Sequence, residues 1–158
     1  MFLPRLDLSK LLLNNPNRCM PVKSSARKKR TTRQQARALD LQIQFMEGVV
    51  RRDPEYVDAL QLLGDHYTQR GKYSQSLKVD ERLARLQPDD PLVYYNLACS
   101  YSLNRQYDLA VEALEKALNL GYHDLNWLAK DPDLRQLRKH SLFRRIRERI
   151  RRMKIKVR

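Results

Sequence analysis

Two stretches decide the fold: LQLLGDHY at residues 60–67 and YYNLACSY at residues 94–101. They are one pattern read twice at a spacing of 34, for Leu60, Leu63, Gly64, Tyr67, Tyr73, Ser76 and Leu83 recur as Tyr94, Leu97, Ala98, Tyr101, Tyr107, Ala110 and Ala117. A fixed period of that length marks a helical solenoid, in which each repeat is one helix pair that cannot bury its apolar face alone. Large residues three and then four apart, Leu60/Leu63/Tyr67 and Tyr94/Leu97/Tyr101, stack on a single helical face. Gly64 and Ala98 are small where a bulky side chain would hold neighbouring helices apart.

Working outward, the pattern predicts helices over about 56–70, 73–86, 91–104 and 107–119. Gly71 and Asn104-Arg105 supply the tight turns inside each pair, while Pro54 and Pro88 separate the pairs. Upstream, from about Ala36, Leu39, Ile43, Met46, Val49 and Val50 share one helical face, and Asp53-Pro54 ends that helix. Ile43, Val49 and Val50 lie one period before Leu77, Leu83 and Ala84, so the segment reads as the second half of a degenerate first repeat. Met46 departs from the pattern, because its counterpart is the charged Asp80.

These residues resemble the tetratricopeptide repeat family, whose pattern is a large residue, Leu-Gly, Tyr, then small, apolar and small residues and a closing Pro. Leu60, Leu63-Gly64, Tyr67 and Pro88 fit in one repeat, with Ser76, Asp80 and Leu83 standing in for the triplet. Tyr94, Leu97-Ala98, Tyr101, Ala110, Leu114 and Ala117 fit in the next, with Tyr122 in place of the proline. The stretch Gly121-Tyr122-x-Asp124, Leu128 and Asp131-Pro132-Asp133-Leu134-x-x-Leu137-Arg138 is similar to the segment that closes the array in many bacterial members. The resemblance implies an all-α, short right-handed solenoid of antiparallel helix pairs with capping helices at its C-terminal end. Its divisions are a basic arm at 1–35, a half repeat at 36–54, repeats at 57–88 and 91–122, a basic cap at 123–153 and a frayed tail at 154–158. Trp127, Leu128, Leu134 and Leu137 are the residues expected to cover the apolar end.

Charge is divided as sharply as structure. The net +14 resolves into +8 over residues 1–54, −3 over 55–130 and +9 over 131–158, so basic flanks frame a mildly acidic core. Two cysteines, Cys19 and Cys99, make no disulfide framework and point to a reducing compartment, with the cytoplasm as default. No apolar run reaches the roughly 18 residues a membrane-spanning helix needs. The apolar N-terminal stretch is broken by Pro4, Arg5, Asp7 and Lys10, against a secretory signal. Two readings stay open for it: an organelle transit peptide, or an upstream extension with Met20 as the start.

Members of the family bind peptide segments of other proteins along the concave face made by the first helix of each pair. Carried onto this sequence, that face offers Asp58, Gln61, Asp65 and Gln69, then Leu92, Tyr95, Cys99 and Ser102. Half acidic and half apolar, it suits a neutral or basic peptide. A clamp for a terminal carboxylate, also known in the family, would need Lys or Arg on this face, and Gln61 and Asp65 occupy the places of its first cation and its amide. The flanks carry the rival reading, a nucleic-acid- or ribosome-associated factor. Arg27, Lys28, Lys29 and Arg30, with Arg144, Arg145, Arg147, Arg149, Arg151 and Arg152, would grip phosphates without sequence readout. The C-terminal arginines accompany an apolar stripe of Leu142, Phe143, Ile146, Ile150 and Met153, which also suits a capping helix. Self-association through an uncapped end is a third partner reading.

Nothing in the chain suggests an enzyme, a cofactor or a metal. There is no phosphate-binding glycine loop, no Cys-x-x-Cys and no His-Glu-x-x-His, and His66, His123 and His140 are dispersed. If the repeat register is right, Leu97→Asp or Gly64→Trp buries a charge or an oversized ring between helices and unfolds the domain, a loss of several kcal/mol (~3 or more). Circular dichroism melting checks it, and a variant melting like the wild type would overturn the register.

Overall fold

Helix α1 (Arg33–Arg52) turns Ile43 and Met46 into the core, with Leu39, Val49 and Val50 packed beside them. The computed structural model to which it belongs describes residues 33–156, with side chains as far as Met153. The basic arm, with Cys19 and Arg27 to Arg30, lies outside the described residues, apart from its last three positions. Those three, Arg33, Gln34 and Gln35, form the first turn of α1, three residues ahead of the expected start. None of them breaks a helix, and apolar period alone carries no signal for a solvated first turn.

Two helix pairs follow, α2 (Val57–Arg70) with α3 (Tyr73–Leu86), and α4 (Pro91–Leu103) with α5 (Tyr107–Asn119). The repeat is visible in atoms as well as in letters. Tyr67 on α2 donates its hydroxyl to Glu47 of α1 at 2.6 Å, and Tyr101 on α4 donates to Glu81 of α3 at 3.1 Å, each residue one period from its counterpart. This pairing identifies α1 as the second helix of a unit. Leu60, Leu63, Tyr67 and Leu97 are buried as the spacing requires. A Cβ on Gly64 would stand 3.2 Å from Asp80 Oδ1 and 3.5 Å from Val79 Cγ1, so the close helix contact explains the small residue.

The turn within each pair is also repeated. Lys72 N–H donates to Tyr67 O at 2.8 Å around Gly71, and Gln106 N–H donates to Tyr101 O at 2.9 Å around Arg105. Both pivots are left-handed, Gly71 at φ 79° and Arg105 at φ 62°, because the six-to-one bond that closes the helix demands it. Asn104 secures the second turn by donating its side-chain amide to Tyr73 O at 3.0 Å and Ser100 O at 2.8 Å. Asp90 caps α4 by accepting from Leu92 N at 2.7 Å.

After α5 the chain closes on itself through α6 (Leu125–Leu128), a 3-10 turn (Pro132–Leu134), α7 (Arg135–Lys139), a second 3-10 turn (Ser141–Phe143) and α8 (Arg144–Lys156). Leu128, Leu134, Leu137, Phe143 and Ile146 are buried, and α8 packs against α5. The helical backbone of α8 continues to Lys156, beyond the fraying expected after Met153. At the opposite end no described residue plays this part. On α1, Leu41 is 66% and Phe45 55% exposed.

A non-glycine residue held left-handed costs roughly 1–2 kcal/mol, and the greater freedom of glycine in the unfolded chain offsets about half of that. Arg105→Gly is therefore expected to raise the melting midpoint by about 2–4 °C. Gly71→Ala should lower it by a similar amount, as differential scanning calorimetry would measure.

Candidate functional site

The first helices of the two pairs, α2 and α4, supply the inner face, and the two halves of that face differ. On α4 the chain covers itself. Tyr95 donates its hydroxyl to Asp131 Oδ2 at 2.6 Å, Cys99 Sγ lies 3.6 Å from the same oxygen, and Ser102 donates to Asp133 O at 2.8 Å. Trp127 Nε1 adds a further donor to Asp131 at 2.8 Å, and Tyr95 stacks flat on Tyr122 with centroids 4.2 Å apart. Tyr95, Cys99 and Ser102 are buried as a result. The three were expected to face an incoming peptide; the closing segment takes that place instead. The physical reason is the exposed apolar flank of the last repeat, which the chain must cover with something. Burial, then the nearby Asp131, pushes the Cys99 thiol well above its ordinary range and keeps it a neutral donor.

On α2 the face has no such cover among the described residues. Asp58, Gln61 and Asp65 are partly exposed and Gln69 is exposed, and none of the four has a hydrogen-bond or ion-pair partner among the described residues. Leu92, at the start of α4, is half-buried beside them in sequence order. Burial pushes the Asp65 carboxyl up to about 6, against a smaller opposing pull from the adjacent His66. Behind it, Asp80 on α3 is buried where the neighbouring units carry Met46 and Leu114, and its carboxyl is pushed up to about 7 by burial and by Asp65. Ser100 donates to Asp80, and Ser76 links Ser100 at 3.2 Å, Thr68 at 2.7 Å and Gly64 O at 3.2 Å. A polar network thus runs through the junction of the two pairs.

The C-terminal arginines serve two purposes. Arg145 grips Glu115 of α5 in a fork, Nη2 to Oε2 at 2.7 Å and Nε to Oε1 at 3.1 Å, and Arg149 donates to Asn119. Both therefore fasten α8 to α5 and leave the proposed basic surface. Arg144 meets Glu148 at 3.6 Å. Arg147, Arg151 and Arg152 are exposed without a partner among the described residues. Arg138 is turned inward and donates to Asp131 O at 2.6 Å. Among the described residues no group of three or more His, Cys, Asp or Glu is placed to hold a metal ion. No helix there is long and apolar enough to cross a membrane.

A family model described as Tetratricopeptide repeat matches residues 59–92, and a second of the same description matches residues 81–112. Residues 59–112 are thus tetratricopeptide repeats. Over 83 residues it is 36% identical to a chloroplastic protein of Arabidopsis thaliana, a stretch covering 51% of this chain and 25% of that protein. Over 91 residues it is 36% identical to the peroxisomal targeting signal receptors of Komagataella phaffii and Komagataella pastoris, covering 56% of this chain and 16% of each receptor. The matched segment is thus a small part of each relative. Tetratricopeptide repeats are protein–protein interaction modules, and this chain is built as one.

The tetratricopeptide pattern locates α2 and α4 but carries no information on what lies across them. Asp131 is the residue the sequence leaves out of the site. Its only signal is an acid in the closing motif one turn after Trp127. Asp80 shows as a misfit in the small-apolar-small triplet, and its partners Ser76 and Ser100 come from two different helices.

Asp80 holds its proton in the folded state up to about pH 7 but releases it near 4 when unfolded. Folding therefore takes up protons between those values, and stability falls as pH rises through that window. Asp65 and Asp133, both pushed up to about 6, act in the same direction. The melting midpoint is expected to be several degrees higher at pH 5.5 than at pH 8. Asp80→Asn should raise the pH 8 value and flatten the slope, which melting curves at fixed ionic strength would test.

Proposed function

We propose that this tetratricopeptide array is a non-enzymatic adaptor that holds a peptide segment of a partner protein along its inner face, in the half lined by α2. The supporting observation is an asymmetry. The closing segment occupies the α4 half through Tyr95, Cys99 and Ser102, while Asp58, Gln61, Asp65 and Gln69 on α2 stay without partners among the described residues. Unpaired polar groups on a rigid helical floor suit recognition, because the ordering cost of the floor is already met by folding. The relatives support a recognition role of the same general kind, since the Komagataella proteins are named as receptors for a targeting signal.

A second reading keeps the basic cap as a contact for nucleic acid or the ribosome. On the cap, Arg147, Arg151 and Arg152 are the arginines without a described partner, while Arg145 and Arg149 hold α8 in place; Arg27 to Arg30 lie outside the described residues. Such binding would be non-specific and steeply salt-dependent.

Affinity capture with the full chain, compared with Asp58→Lys/Gln69→Lys, tests the adaptor reading. These two side chains bond to nothing else among the described residues, and reversing the first-turn acid Asp58 against the helix dipole should cost about 1 kcal/mol, leaving the variant folded. Loss of a reproducible partner from the variant is the expected result; undiminished capture would remove the α2 face from consideration.

A further inference from the structure

The 34-residue translation that relates α2 to α4 relates their surfaces as well, and one of those surfaces is already occupied. Tyr95, Cys99 and Ser102 correspond to Gln61, Asp65 and Thr68. On α4 the head of the first 3-10 turn, Asp131 to Asp133, sits against the helix and places a carboxylate against Tyr95 and Cys99. The closing segment thus shows which side chains of this face take a partner and of what chemistry. One repeat earlier the chemistry is inverted. Where α4 presents the donors Tyr95 and Cys99 to an acid, α2 presents an amide and a carboxylate, Gln61 and Asp65.

Resting on the groove reading, we infer that the open half of the face receives a lysine or arginine side chain of the partner peptide at Asp65, the position equivalent to that where Asp131 meets Cys99. Three observations converge on a cation. Asp65 is half-buried with no hydrogen-bond partner among the described residues, which leaves a carboxylate partly desolvated and unpaired in the free protein. The buried carboxyl of Asp80 interacts with it from behind, so the Asp65 charge is backed by a second acid rather than by a base, and an acidic side chain entering here meets no cation. The basic groups of α2 and its closing turn have contacts of their own. Arg70 is forked onto Asp40 at 2.7 Å, Lys72 lies over the Tyr67 ring, and the His66 ring bonds Leu62 O. A cationic side chain would supply the missing partner and favour the ionised form of Asp65, while Gln61 stands one turn away to bond the peptide backbone.

The test uses the full chain and pools of fluorescent decapeptides in which one central residue is fixed as Lys, Arg, Glu or norleucine and the rest are randomised. Binding is read by fluorescence anisotropy. The Lys and Arg pools are expected to bind about tenfold more tightly than the Glu and norleucine pools. Asp65→Asn, which removes a partly buried charge at constant shape, should melt no lower than the wild type and should equalise the pools. Equal binding of all four pools by the wild type overturns the inference while leaving the groove reading intact. No binding of any pool overturns both. A full chain in which Arg27 to Arg30 are replaced by Ser separates one further outcome. If the Lys pool binds only that variant, the cation at Asp65 comes from the chain itself and the inference of a basic partner is overturned.

Discussion

One buried carboxylate holds the C-terminal half of this protein together. Asp131 accepts from the Tyr95 hydroxyl and the Trp127 indole, lies against the Cys99 thiol, and with its other oxygen accepts from Asp133 N–H at 2.9 Å. Its carbonyl receives Arg138. A carboxylate taken from water costs several kcal/mol unless its lone pairs are met, and here donors from α4, α6 and the closing turn meet them (order of magnitude ~3–5 kcal/mol if a partner is lost). Everything downstream depends on that satisfaction. It sets Leu134 and Leu137 against α4, and these lead into the turn from which Phe143 and Ile146 cover α5.

The closing segment answers a constraint that every solenoid meets: the last repeat has a flank with no neighbour. The Tyr–Glu bond between successive units shows where the array stops. Glu47 and Glu81 each receive a tyrosine from the following unit, whereas Glu115, one period further on, receives Arg145 from α8. A capping helix has thus taken over the position of the next repeat and replaced its hydroxyl with a guanidinium fork. Part of the cationic character of the tail is therefore architectural. The N-terminal flank has no such treatment among the described residues, and Leu41 and Phe45 remain uncovered there.

Asp80 marks where the array departs from an apolar repeat. Met46 and Leu114 hold the corresponding places, so an apolar side chain fits the site. The carboxyl is tolerated because Ser100 donates to it and Ser76 completes the network, while Gly64 leaves room for it. Buried polar networks specify geometry when fully connected, and this one ties α2, α3 and α4 in a single register. Its position behind Asp65 connects that packing to the open half of the inner face.

The sequence by itself determined the repeat helices and their pairing among the described residues. Those rest on periodic burial and on turn residues, both of which are local along the chain. It also determined that Leu60, Leu63, Tyr67 and Leu97 are core and that Gly64 must be small, since a translation of 34 residues repeats each environment. The eight positions of the inner face were legible as a set, because one helical face follows from spacing. Only the tertiary structure decided which of them are free. Asp131 lies 36 residues from Tyr95 and 32 from Cys99, in a segment outside the repeat, and no period relates it to them. The same holds for Arg145 and Arg149, whose partners Glu115 and Asn119 lie 30 residues away across a chain reversal. Local pattern fixes which face a residue is on, whereas what lies against that face is decided by how the chain folds back, and that is a property of the whole molecule.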